Sequence, residues 1–124
     1  MENEEKLIEL GILLDTILSS VNSSLTNSNI KLLFLIDKYS PARPSVLLSK
    51  LGLKKSNLAS STKYLEENGL IVAKKHREDR RGRTYTVTEK GKEILKEFYL
   101  NVQKVMRVEL NTISELIDTL NKKI

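Results

Sequence analysis

Few side chains in this sequence are equipped for covalent or acid–base chemistry. The 124 residues contain no cysteine and a single histidine, His76. That excludes disulfide frameworks, zinc ribbons, iron–sulfur clusters and thiol redox chemistry, and leaves any histidine-based metal site without a second imidazole. Asp79 lies near His76 in a serine-rich chain. No nucleophile elbow or oxyanion segment accompanies them, so neither an enzyme nor a metal or other cofactor is expected. The chemistry on offer is ionic and hydrogen-bonding. Lys74, Lys75, Arg77, Arg80, Arg81 and Arg83 place six cations within ten residues.

The placement of charge sharpens this. Residues 1–53 hold 5 basic and 6 acidic side chains, residues 54–91 hold 10 and 5, and residues 92–124 hold 6 and 5. The whole net charge of +5 therefore sits in the middle third, as the footprint for a polyanion would; a solvated charged surface is the alternative. Upstream of the cations, helical spacing over 55–68 puts Leu58, Thr62 and Leu65 on one side and Ser56, Asn57, Ser60, Lys63, Tyr64 and Glu67 on the other, with Ser61 at the margin. At the start of such a helix Ser56, Asn57 and Ser60 would lie nearest to base edges, Asn57 suiting bidentate recognition of adenine. Lys54, Lys55 and Lys63 are placed for phosphates. Tyr64 and Tyr85 are candidates to meet a sugar-phosphate, and for Tyr85 core packing is the equal alternative.

These residues need a scaffold. Leu7, Leu10, Leu14, Ile17 and Val21 recur at alternating intervals of three and four, with Ile8, Ile12, Leu13 and Leu18 widening the stripe. The pattern predicts a helix from residue 2 to about 22, part of it facing another chain. Glu9 and Asp15 interrupt its apolar run, so it does not qualify as a membrane span of about 20 apolar residues. Turn and cap residues over 23–29 precede a second helix with Ile30, Leu33, Phe34 and Ile36, ending near Ser40-Pro41. Pro44 suits the first turn of a third helix, with Val46, Leu47, Leu48 and Leu51 inward and Gly52 closing it. Asn68-Gly69 makes a left-handed cap on the fourth. Leu70 to His76 and Thr84 to Thr88 then read as a two-stranded hairpin with a long basic tip. Thr88 caps a last helix in which Gly91 is an early weak point; its stripe runs through Ile94, Leu95 and Phe98 to Leu110, Ile113, Ile117 and Leu120, as one long helix or two.

The expected fold is mainly α with a small β-hairpin, an α+β winged helix-turn-helix in a single domain over 1–124. The helix-turn-helix and wing occupy 28–91, and dimerisation helices occupy 1–24 and 92–124. Leu7, Leu10, Leu14, Ile17, Val21, Leu110, Ile113, Ile117 and Leu120 are the expected dimer-interface residues.

The run LSKLGLKKSNLASSTKYLEENGLI followed by DRRGRTYTVTEKG resembles the winged-helix regulators of the MarR type, and the short archaeal Lrs-like repressors on the same scaffold. Their recurrent Glu-x-x-Gly-Leu, Asp-x-Arg wing and Leu-Thr-x-x-Gly exit are met here by Glu66 to Leu70, by Asp79-Arg80-Arg81 and by Val87 to Gly91. The likeness covers residues 44–95. It implies a homodimer built by terminal helices on a roughly palindromic site, with Arg81 as the wing arginine. Lys54 stands where related sequences place a serine or threonine cap, and the chain is shorter than many such regulators, so no small-molecule effector is carried over.

The expected function is that of a dimeric regulator binding double-stranded DNA by sequence, a repressor because blocking a promoter needs no extra domain. The fourth helix takes the major groove; Lys75 and the wing residues Arg77, Arg80, Arg81 and Arg83 take the flanking groove or backbone. Two alternatives stay open: a winged helix used as a protein-interaction module, and a chromatin-like protein coating DNA without sequence preference. The acidic start MENEE lacks the positive region of a signal peptide, which places the expected protein in the cytoplasm, at the nucleoid and off the membrane.

Overall fold

The computed structural model describes residues 2–76 and 82–123, with backbone alone at 108–110, 112 and 123. The elements run α1 (Glu2–Ser20), α2 (Asn27–Lys38), α3 (Pro44–Leu51), α4 (Lys55–Glu67), β1 (Ile71–Lys75), β2 (Arg83–Val87) and α5 (Glu89–Lys123). The chain divides into two compact units, residues 23–97 and, separately, residues 1–22 with 98–124. Among the described residues no helix is long and apolar enough to cross a membrane.

In the first unit, α2 begins earlier than its apolar residues alone indicate, because Thr26 is the cap. Its extended backbone lets the hydroxyl accept from Asn29 N at 3.3 Å, satisfying one of the helix's unpaired donors. Ile30, Leu32, Leu33 and Ile36 cover a wide arc of α2 and are all buried, while Phe34 points outward rather than into the core. Against α2 pack α3, α4 and β2. Pro44 opens α3 and Gly52 ends it in the left-handed region (φ 64°), its N–H reaching Leu48 O at 2.9 Å. Such a cap turns the chain into α4 within three residues.

The hairpin pairs Ile71 with Val87 and Lys75 with Arg83 in antiparallel register. Its second strand starts at Arg83, one residue before the β-branched run. Sequence periodicity misses a third partner: Ala42 bridges to Tyr85, each backbone N–H donating to the other's carbonyl at 2.9 Å. β2 is thus flanked on both edges. Both of its faces are covered as well, Tyr85 lying in the core and Thr84 buried on the opposite face. β1 is anchored only at Ile71, and Val72 to Lys75 are exposed.

In the second unit, α1 carries Glu2, Glu4 and Glu5 in its first turn, favourable to the positive end of the helix dipole. Asn101 Nδ2 donates to Asn22 O at 2.9 Å, fixing the end of that segment to α5. Ile17, Val21 and Phe98 are buried, but Leu7, Ile8 and Ile12 are each more than 60% exposed, and Leu14, Leu100, Met106 and Ile117 are also open. Of the two expectations for the C-terminal stripe, the single helix is the one observed.

Leu33→Ala, at a fully buried site on α2, should lower unfolding stability by about 2–5 kcal/mol, and Thr26→Ala, which removes a cap, by about 1 kcal/mol. Urea unfolding followed by circular dichroism checks both, and a smaller loss for Leu33→Ala than for Thr26→Ala would contradict the central place of α2.

Candidate nucleic-acid interface

α4 is amphipathic in the sense its spacing predicts. Leu58, Thr62 and Leu65 are buried, and Ser56, Asn57, Ser60, Lys63, Tyr64 and Glu67 are exposed, with Ser61 half-buried. The outer face is almost free of aliphatic side chains, which an element evolved to pack would not be. Lys54, in extended conformation, does serve as N-cap, but its side chain makes no capping bond. The first backbone N–H groups of α4 therefore have no side-chain acceptor at the cap, next to exposed Lys54 and Lys55.

Two details refine what the face presents. Ser60 Oγ donates to Ser56 O at 3.1 Å, committing its proton and leaving oxygen lone pairs outward. Lys63 Nζ lies 3.9 Å from Glu67 Oε1, with both side chains well exposed. An exposed pair of this kind is worth at most about 1 kcal/mol, so Lys63 is free to leave it for a stronger anion.

Beside α4 the chain forms a cleft of about 650 Å³ lined by the start of α3 (Arg43, Pro44, Ser45, Leu48), by α4 (Lys55, Leu58, Ala59, Thr62) and by β2 (Arg83, Tyr85). A smaller hollow of about 280 Å³ shares Ala59, Thr62, Arg83 and Tyr85 and reaches Lys63 and Glu66. The floor is the buried Leu58, Thr62 and Tyr85, and exposed Arg43, Lys55 and Arg83 stand around it. A hydrogen bond to the Tyr85 side chain raises the Arg83 pKa, and the charge of Glu66 adds to the effect, so the guanidinium stays cationic. Arg43 was not among the sequence-derived candidates. Its signal is position alone, directly before the proline that opens the first helix of the helix-turn-helix.

Lys75 and Arg83 face each other across the ladder. Like charges directly opposed on a sheet are unfavourable unless an anion lies between them. Beyond them His76 Nε2 is 3.1 Å from Thr84 Oγ1, and His76 N donates to Gly82 O at 2.7 Å, so the histidine closes the ladder at its loop end. Tyr85 is 4% exposed and belongs to the core, which removes it from the groups able to stack on a nucleotide. Arg77, Arg80 and Arg81 lie outside the described residues. Of the expected interface positions, Leu7, Leu14 and Ile117 are exposed, Leu10, Ile113 and Leu120 half-buried, and Ile17 and Val21 buried within the single chain; the Leu110 side chain lies outside the described set.

Residues 25–82 match the model of the MarR family, a family of transcription regulators rather than enzymes. No curated protein matches the chain. Among solved structures, Staphylococcus aureus MarR in complex with salicylate and kanamycin is 25% identical over 77% of this chain and 68% of its own, with a TM-score of 0.66. A MarR-like transcription regulator from Bacillus cereus is 16% identical over 99% and 96%, with a TM-score of 0.75. BpsR of Bordetella bronchiseptica, described for the regulation of its DNA binding by 6-hydroxynicotinic acid, is 15% identical over 94% and 88%, with a TM-score of 0.73. The architecture above is the MarR winged-helix fold.

Tyr85→Phe keeps the buried ring and deletes the hydroxyl. The Arg83 guanidinium N–H signals should then exchange faster with water while the amide shifts of α2 and α4 stay in place. An unchanged exchange rate would count against that hydrogen bond.

Proposed function

We propose that this chain, a winged-helix protein of MarR type whose residues 25–82 match that family, is a homodimeric, sequence-specific regulator of transcription. It acts as a repressor by occupying a roughly palindromic site in double-stranded DNA. The observation that carries the reading is the exposed hydrogen-bonding face of α4, flanked by cations from two other elements, Arg43 before α3 and Arg83 on β2. A B-form major groove admits one helix. Ser56, Asn57 and Ser60 at its start then meet base edges, while Arg43, Lys54, Lys55, Lys63, Lys75 and Arg83 meet phosphates and set the register. Arg77, Arg80 and Arg81 of the hairpin tip extend the contact to the flanking groove. The apolar surface left open on α1 and α5, Leu7, Leu14 and Ile117 among it, supports the dimer. Two recognition helices would then sit about 34–36 Å apart, one half-site each. Such a regulator works in the cytoplasm at the nucleoid, with no membrane partner.

The cleft supports a regulated form of this activity. Salicylate and 6-hydroxynicotinic acid, named with the S. aureus and B. bronchiseptica proteins, are both aromatic carboxylic acids. An apolar floor with three cations around it suits that chemistry. A carboxylate held by Arg43, Lys55 and Arg83 would withdraw them from the DNA backbone.

Selection of bound duplexes from a random pool should yield one palindromic sequence, footprinted as a discrete block. Continuous protection would favour the coating protein, and none at low salt the interaction module. On the selected duplex, Asn57→Ala should cost about 1–3 kcal/mol and relax one base position. Arg43→Ala should weaken all sequences alike and reduce the salt slope by about one. Titrated salicylate should release DNA from the wild type and less readily from Arg43→Ala; equal release from both would remove the cleft from the mechanism.

A further inference from the structure

The hairpin leaves one row of backbone groups unused. Thr88 N donates to Leu70 O and His76 N to Gly82 O, so with Ile71 opposite Val87 and Lys75 opposite Arg83 the even-numbered residues of β1 turn their amides toward β2. Residues 71, 73 and 75 turn theirs away. The second strand keeps the same phase, since Tyr85 directs its N–H and carbonyl outward to Ala42. Ile71 is buried, but Ala73 and Lys75 are exposed. Among the described residues no backbone partner meets the N–H and C=O groups of these two. β2 is closed on both sides and β1 on one.

A row in which donors alternate with acceptors is not what a phosphodiester satisfies. Its oxygens accept but have no hydrogen to donate, so the carbonyls of Ala73 and Lys75 would find no partner in it. Another extended backbone supplies both kinds of group. The side chains narrow the choice further. Lys74 and Lys75 project to opposite faces of β1, and neither strand of the hairpin contains a carboxylate. A second copy of β1 would add its own two lysines to the same ladder, so pairing between copies is opposed. Val72, 53% exposed, shares a face with Lys74 and offers an apolar contact beside the charge.

We propose that the outer edge of β1 is a docking edge for an extended acidic segment of a partner protein, which adds to the hairpin as a further strand. Ala73 and Lys75 exchange main-chain hydrogen bonds with it, its carboxylates meet Lys74 and Lys75, and an apolar side chain covers Val72. The edge lies within the unit of residues 23–97, and the proposal stands apart from the DNA-binding reading above.

The test follows backbone amide exchange in the isotope-labelled full-length chain, with an end-blocked seven-residue peptide alternating glutamate and valine as the probe. In the free chain Ala73 and Lys75 should exchange faster than Val72 and Lys74, whose amides face β2. Saturating peptide should slow Ala73 and Lys75 by about ten-fold or more. A peptide alternating lysine and valine should slow neither, nor should the glutamate peptide N-methylated at every residue. Ala73→Pro removes an edge N–H that the hairpin does not use, a position where strands tolerate proline, and Lys75 should then stop responding. The double variant Lys74→Glu, Lys75→Glu should transfer the response to the lysine peptide. Exchange at the two amides that ignores the acidic peptide overturns the proposal, as does equal slowing by its N-methylated form, the mark of charge attraction alone. Slowing that grows with protein concentration in the absence of peptide would assign the edge to a second copy of this chain. Equal slowing by random duplex would assign it to nucleic acid, and either result overturns the proposal as well.

Discussion

Burial of α2 is the constraint on which the unit spanning residues 23–97 depends. Leu32, Leu33 and Ile36 are fully enclosed, and a helix can be enclosed over so wide an arc only if several elements close on it. Those elements are α3, α4 and β2. Each spends its own apolar residues on that contact, which is why α4 has hydrogen-bonding groups left for its other side. The outer face of α4 is polar because its inner face completes the core.

Charge is distributed by the same logic. The cations that surround α4 come from segments with little apolar content of their own: the turn before α3, the start of α4 and the open end of the hairpin. Arg43 and Arg83 meet at one cleft only because Ala42 pairs with Tyr85, drawing a residue from before α3 onto the edge of β2. A two-residue bridge thereby joins two charges that stand forty residues apart in the chain.

Much of this was legible in the sequence, and the parts that were not share a cause. The helices were readable from period and punctuation: Pro44 and Gly52 mark the ends of α3, and Leu58, Thr62 and Leu65 define the inner face of α4. Features that arise between distant segments were not. The Ala42–Tyr85 bridge, the place of Arg43 and the burial of Tyr85 depend on tertiary pairing that no local pattern records. Gly91 misled for the same reason, since the neighbour it accommodates, Leu70, lies about twenty residues upstream. Phe34 misled in the opposite way: it falls among apolar residues in sequence, but the helix turns it outward.

The opposition of Lys75 and Arg83 across the hairpin has a thermodynamic corollary. Repulsion built into the native state and relieved by a ligand couples folding to occupancy, because whatever binds the folded form alone shifts the unfolding equilibrium by mass action. A polyanion bound there would supply a counter-charge and raise the melting temperature of the unit that carries the hairpin, so thermal stability would report on occupancy of that surface.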